Sequence, residues 1–137
     1  VILCDAGPLI ALLDKSQPGE VRAKCRAVLP QLAPPLVTTW PSFNEALYLT
    51  QKIGGRSLQQ LLRRFEKEGI LEIYPLTRPD ITRIEALREE YKNLSIDTAD
   101  ASLIVAAEVL GLTRIFTFNE NFRFYKINGT QPFEIIP

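Results

Sequence analysis

The spacing of apolar residues changes period repeatedly along the chain, and each change marks an element boundary. VILCD (1–5) is a short apolar run that ends in an acid and is broken by Gly7-Pro8. PLIALLD continues as a short helix, with Pro8 suited to its first turn. After the turn SQPGE, the segment EVRAKCRAVLPQL carries Val21, Cys25, Val28 and Leu29 as one apolar stripe, which predicts a helix that Pro30 ends or kinks. Pro34-Pro35 marks a loop and LVTT (36–39) a strand. A helix then starts at Trp40-Pro41-Ser42 and runs through SFNEALYLTQKI to Gly54-Gly55.

The segment 56–67 predicts a further helix with Leu58, Leu61, Leu62 and Phe65 inward. ILEIYPL follows Gly69 as a strand, and RPDITRIEALREEYKNL is an amphipathic helix with Ile81, Ile84, Leu87 and Tyr91 on one face. DTADASLIVAAEVLG reads as a largely buried helix capped by Gly111, RIFTF as a strand and PFEII as a last short one. No repeat or low-complexity tract interrupts this order. Strands separated by helices throughout a single chain predict an α/β sandwich with a mostly parallel sheet.

The length, 137 residues, predicts one domain spanning 1–137. A hydrophobic fraction of 46% marks a globular chain. Lys+Arg and Asp+Glu number 16 each, so the net charge is zero and neither points to nucleic acid nor excludes it; a basic rim can coexist with an acidic pocket. Cys4 and Cys25 lack metal-ligand spacing and read as reduced core residues of a cytoplasmic protein. No apolar run reaches the length of a membrane span. No basic-then-apolar signal segment opens the sequence, and Val1 suggests that an initiator Met preceded it.

The absence of histidine changes the picture most. It removes His general bases, Ser-His-Asp triads and His-ligated zinc, so in an enzyme carboxylates would carry most of the chemistry. Asp5 ends the first strand, where ligands of open α/β sheets bind, although a turn or N-cap role before Gly7-Pro8 accounts for it equally. Glu45 interrupts the apolar FNEALYL, where an acid is costly unless paired or facing solvent. Asp97 and Asp100 are three residues apart at a helix start. Asp97 is readable as N-cap and Asp100 as N3, yet Asp100 directly abuts the buried-looking ASLIVAA.

These four acids meet only if the sheet gathers distant segments. Ionised carboxylates about 4 Å apart repel by about 4 kcal/mol at an effective dielectric of about 20. Proton uptake or a divalent cation relieves that repulsion. Oxygen ligands without Cys or His select Mg²⁺ or Mn²⁺, and such a cation in an acidic cleft activates water for displacement at phosphorus.

The order of LCDAGPLIALLD, PSFNEALYL, LSIDTADASLIVAAEVLG and RIFTFNENFRFYKI, closed by PFEIIP, resembles the PIN-domain ribonucleases, above all the toxins of VapBC toxin–antitoxin systems. The resemblance spans essentially the whole chain. It implies a PIN-like three-layer α/β/α sandwich with a mostly parallel central sheet. It implies a Mg²⁺- or Mn²⁺-dependent endoribonuclease acting on RNA, a cognate antitoxin and a homodimer. Asp5, Glu45 and Asp100 correspond to the family's metal-binding acids, with Asp97 beside them. The family's next strand ends in Thr or Ser, one residue and Asp; here that reads Thr117-Phe118-Asn119, and a following Asp-Phe reads Asn121-Phe122. Thr117 and Asn119 would complete the metal shell, Asn119 through its carbonyl and without an anion's charge.

Arg63, Arg64 and Lys67, with Arg123 and Lys126, are candidate phosphate contacts. The loss of two family acids supports a second reading, a non-catalytic PIN-like module that binds RNA or protein. A nucleotide-binding α/β enzyme is disfavoured, because no GxGxxG or Walker A run is present and Gly54-Gly55 follows a helix.

Overall fold

The computed structural model describes residues 1–13 and 19–137. Most of the SQPGE turn lies outside the described residues, as do the side chains of Val21 and Leu29. In chain order the elements are β1 (Ile2–Cys4), α1 (Ala6–Leu13), α2 (Gly19–Val28), β2 (Leu36–Thr39), α3 (Trp40–Lys67), β3 (Leu71–Tyr74), α4 (Arg78–Glu90), α5 (Thr98–Leu110), β4 (Arg114–Phe116), β5 (Lys126–Ile127), β6 (Gln131–Pro132) and β7 (Glu134–Ile136).

Five of these strands form one parallel sheet in the order β3-β2-β1-β4-β7. The alternation of strand side chains divides the core into two halves. Ile2, Cys4, Leu36, Phe116 and Ile136 pack with α1, α2 and α3, whereas Leu3, Val37 and Ile115 pack with α4 and α5. That is the expected three-layer sandwich. β1 lies between β2 and β4, so the chain leaves the sheet's centre in both directions and its carboxyl edge opens a crevice there.

The nearly continuous burial of α5 explains its composition. The helix touches the sheet, α3 and α4, and residues 101–107 are buried. A helix covered on several sides is apolar nearly all round. Gly111, at φ 68°, closes it in the left-handed conformation that glycine adopts without strain.

Three details depart from the sequence reading. The two helices expected on either side of Gly54-Gly55 abut as α3, with only Gly55 leaving helical geometry, at φ 64° and ψ −156°. Along α4 and its C-cap the inward stripe is Asp80, Ile84, Leu87 and Tyr91, and Ile81 is 51% exposed. Steps of four, three and four residues track one helix face, whereas Ile81 stands about 100° from Asp80. Asp80 is tolerated inside because its carboxylate accepts from the Thr77 backbone N–H (2.9 Å) and the Tyr74 hydroxyl (2.7 Å), completing a capping box. The third departure is a β5–β6 hairpin that was not anticipated, turned at Asn128-Gly129 with both φ values positive.

Truncating Leu103, which is wholly buried in α5, should cost about 2–5 kcal/mol in denaturant unfolding. Ile81→Ala should stay within about 0.5 kcal/mol of wild type. Comparable losses would place Ile81 in the core.

Candidate active site

Three neighbouring strands end side by side, and each contributes at its carboxyl edge. Asp5 follows β1, Thr39 ends β2 and Thr117 follows β4. The Asp5 N–H donates to the Phe116 carbonyl (3.0 Å), and the Thr117 N–H donates to the Ile136 carbonyl (3.1 Å), so the pairing runs on past the strands. α5 begins at this same edge. Asp97 is its N-cap, accepting from the Asp100 N–H at 2.8 Å, as the capping reading expects.

The Asp5 carboxylate is buried and held on both oxygens. Oδ1 accepts from the Ala6 N–H (2.8 Å) and Oδ2 from the Thr117 hydroxyl (2.9 Å). Burial nevertheless pushes its carboxyl above the ordinary range, against these two hydrogen bonds and with a further push from Asp97. Asp100 is buried as well, and its Oδ2 accepts from the Asn119 side-chain amide (3.0 Å) and the Tyr125 hydroxyl (3.1 Å). Its carboxyl is pushed up to about 7, first by burial and then by Asp97, Asp5 and Glu45.

Glu45 is exposed on α3, which answers its apparent conflict with an apolar helix: the acid faces the open crevice. Its carboxyl is still raised, by partial desolvation first and then by Asp5 and Asp97. The four acids predicted from the sequence therefore share one electrostatic neighbourhood. Asp5 and Asp100 form its floor, and Asp97 and Glu45 its exposed rim.

Asn119 joins this group by hydrogen bonding. Its N–H donates to Thr117 Oγ1 (3.0 Å), its Oδ1 accepts from the Asn121 N–H (3.0 Å), and its side-chain amide reaches Asp100. Its amide oxygen thus caps the short turn at Glu120–Arg123 and keeps one lone pair. Asn121 instead donates its side-chain amide to the Leu94 carbonyl (3.2 Å).

Two supports escaped the sequence reading. Tyr125 is wholly buried and its hydroxyl serves Asp100; burial and the neighbouring carboxylate raise the phenol further, which keeps it a donor. The only cue lay in the aromatic run NFRFYKI, since a tyrosine among buried aromatics needs a partner for its hydroxyl. Beneath the site, Thr39 Oγ1 bonds with Ser102 Oγ and Ser102 donates to the Ala99 carbonyl (2.7 Å), pinning α5 to the end of β2. Nothing in the spacing of these residues, 63 positions apart, announces the pair.

Among the described residues, no three acids stand close enough to enclose a cation as they are. The donor chemistry fits a hard divalent cation all the same. The side chains are oxygen donors, their carboxyls are raised partly by one another, and added positive charge would relieve that strain. Four of the five candidate phosphate contacts fall on two hollows, whereas Lys126 lies in β5 and lines neither. Arg56, Arg63, Arg64 and Lys67, with Gln59 and Gln60, line one of about 510 Å³. Arg123 lines another of about 290 Å³ that includes Thr117 and Asn119.

A family model described as PIN domain matches residues 2–128. Among solved structures, the chain is similar to VapC20 of Mycobacterium tuberculosis, a sarcin–ricin loop cleaving toxin. The TM-score is 0.82 at 11% identity, covering 96% of this chain and 100% of that one. A toxin–antitoxin complex from Klebsiella pneumoniae aligns with a TM-score of 0.69 at 21% identity, over 100% of this chain and 97% of that one. FitAcB from Neisseria gonorrhoeae aligns with a TM-score of 0.63 at 19% identity, over 87% and 88% respectively. Comparison with curated proteins gave no match.

The raised Asp100 carboxyl has a consequence for stability. The folded protein holds this proton more tightly than the unfolded chain, whose carboxyl titrates near 3.8. Its contribution is therefore fully present below about pH 4 and is lost as pH rises through about 7. Asp5 and Glu45 act in the same direction. In EDTA, the melting temperature should rise by several degrees between about pH 8 and about pH 5, and Asp100→Asn should flatten that slope. A wild-type slope equal to that of Asp100→Asn would mean that Asp100 stays ionised.

Proposed function

This chain belongs to the PIN domain family, and from that premise we propose that it is a Mg²⁺- or Mn²⁺-dependent endoribonuclease, the toxin of a type II toxin–antitoxin pair. The observation that carries the reading is the convergence of Asp5, Glu45, Asp97 and Asp100 from three separate elements on the sheet's carboxyl edge. Repelling acids gathered in one crevice disfavour the apoprotein, and a cation is the partner that offsets them. The similarity to toxin structures supports a cognate antitoxin, the family resemblance supports a homodimer, and the free, buried Cys4 and Cys25 fit a cytoplasmic setting.

Asp5, Glu45, Asp97 and Asp100 would hold the cation, with the Asn119 carbonyl as a neutral donor and Thr117 as support. A bound divalent cation supplies Lewis acidity toward a phosphodiester and lowers the pKa of its water. The chain's own residues do the placing. Thr117 and the Ala6 N–H orient Asp5, while Tyr125 and Asn119 orient Asp100. Without a cation the raised Asp100 carboxyl can hold a proton near neutrality, and a bound cation would displace that proton.

A second reading, an RNA- or protein-binding module without catalysis, is favoured by one observation. Asn119 neutralises the position beside Asp100 with a donor rather than an anion. Cleavage of RNA with Mn²⁺ separates the two. Wild type should cut, EDTA should abolish cutting, and Asp100→Ala should lower the rate about a hundredfold or more. Equal cutting by wild type and Asp100→Ala would remove the site.

Asn119→Asp gives an independent check. The new carboxylate loses the hydrogen bond to Asp100 and repels it, so the variant should melt lower than wild type in EDTA. It should also gain the larger Mn²⁺-induced rise in melting temperature, because its ligand is an anion. An unchanged Mn²⁺ response in calorimetry would put residue 119 outside the metal shell.

A further inference from the structure

The hollow beside the acids has a composition of its own. Thr117 and Asn119 belong to the acidic site, and beyond them the lining includes Lys24, Phe118, Glu120 and Arg123. Its volume of about 290 Å³ is at the lower end of small-ligand sites, about 300–1,000 Å³, which suits one nucleotide and not a duplex.

Phe118 is 39% exposed in a strand-end position where its neighbours Phe116 and Thr117 are buried. Its ring is nevertheless held in place. Phe116 packs against it edge-on at 5.8 Å and 89°. On another side the chain carries Gly7, where a Cβ would meet Phe118 Cδ2 at 3.4 Å. An aromatic ring fixed by its neighbours and open to solvent is a stacking platform with little entropy left to lose.

The two cations are loosely engaged. Arg123 pairs with Glu120 at 3.8 Å and Lys24 with Glu20 at 3.9 Å, and all four side chains are exposed. Such surface pairs contribute about 0–1 kcal/mol and yield readily to a phosphate.

We propose that this hollow is a subsite for one nucleotide of single-stranded RNA flanking the scissile phosphate, with its base stacked on Phe118 and its phosphate paired with Arg123 and Lys24. The proposal rests on the ribonuclease reading for the nature of the strand and adds to it a source of substrate preference. Double-stranded RNA is excluded by the same geometry, because a paired base keeps its face inside the helix stack.

The test is binding of a short fluorescein-labelled single-stranded oligoribonucleotide, followed by anisotropy in EDTA so that cleavage plays no part. Phe118→Ala should weaken Kd by about tenfold or more, Phe118→Trp should match or exceed wild type, and Phe118→Leu should stay weak because it restores bulk without a flat face. Arg123→Ala should lower the salt slope by about 1, a change that Phe118→Ala should not produce. In a Trp40→Phe background, the fluorescence of Phe118→Trp should be quenched by the oligonucleotide. Binding by Phe118→Ala within about twofold of wild type, recovery by Phe118→Leu, or absence of quenching would overturn the subsite. Phe118-dependent binding without Asp100-dependent cleavage would leave the subsite standing and remove the nuclease reading. Cleavage with Phe118-independent binding would do the reverse.

Discussion

Asp5 joins the two sides of the crevice, and the rest of the site depends on how its buried charge is satisfied. The residue follows the central strand β1. Its N–H continues the pairing with β4, and its carboxylate accepts from the start of α1 and from Thr117. A carboxylate removed from water is tolerated when its oxygens are met by donors, and here the donors come from the elements that must be aligned. The same hydrogen bonds that make Asp5 acceptable also set the end of β4, and through Thr117 Oγ1 they fix the backbone of Asn119.

Asp100 poses the same problem with a different solution. It enters the crevice from the first turn of α5, where the helix's unpaired N–H groups favour negative charge. Tyr125 and Asn119 supply the remaining donors, but burial and three neighbouring acids still hold its carboxyl near 7. Asn119 gains a physical rationale in this setting. An aspartate there would add another anion beside Asp100, whereas the amide donates to it. The metal-free fold is quieter for that exchange, and the charge available to a cation is smaller.

Much of the architecture was legible because its signals are local. The first strand run ends in Asp5, Asp97 and Asp100 have cap spacing, and α5 is apolar nearly all round because other elements cover it. Elsewhere local spacing misled. Ile81 fits an apolar stripe by composition, yet the inward position of that turn belongs to Asp80, which a capping box and Tyr74 make acceptable. The β5–β6 hairpin carried its Asn-Gly signal in strands of two residues each, too short to show an alternation.

The sequence by itself determined the chemical vocabulary of the protein. Without histidine it excludes His-based catalysis, and with Asp5 at the end of its first apolar run it directs the expectation to carboxylates and hard cations. Its block order also determined a parallel α/β sheet. Only the tertiary structure decided which acids are floor and which are rim, and that a tyrosine 25 residues beyond Asp100 serves it. Only the fold set Phe118 as an open ring next to two cations. Those facts depend on sheet order, which sets residues over a hundred positions apart side by side, and no spacing along the chain records it. The stretch after β4 is a case of both: the polarity of Thr117, Asn119 and Asn121 is written in the sequence, and their hydrogen-bond partners are assigned by the fold.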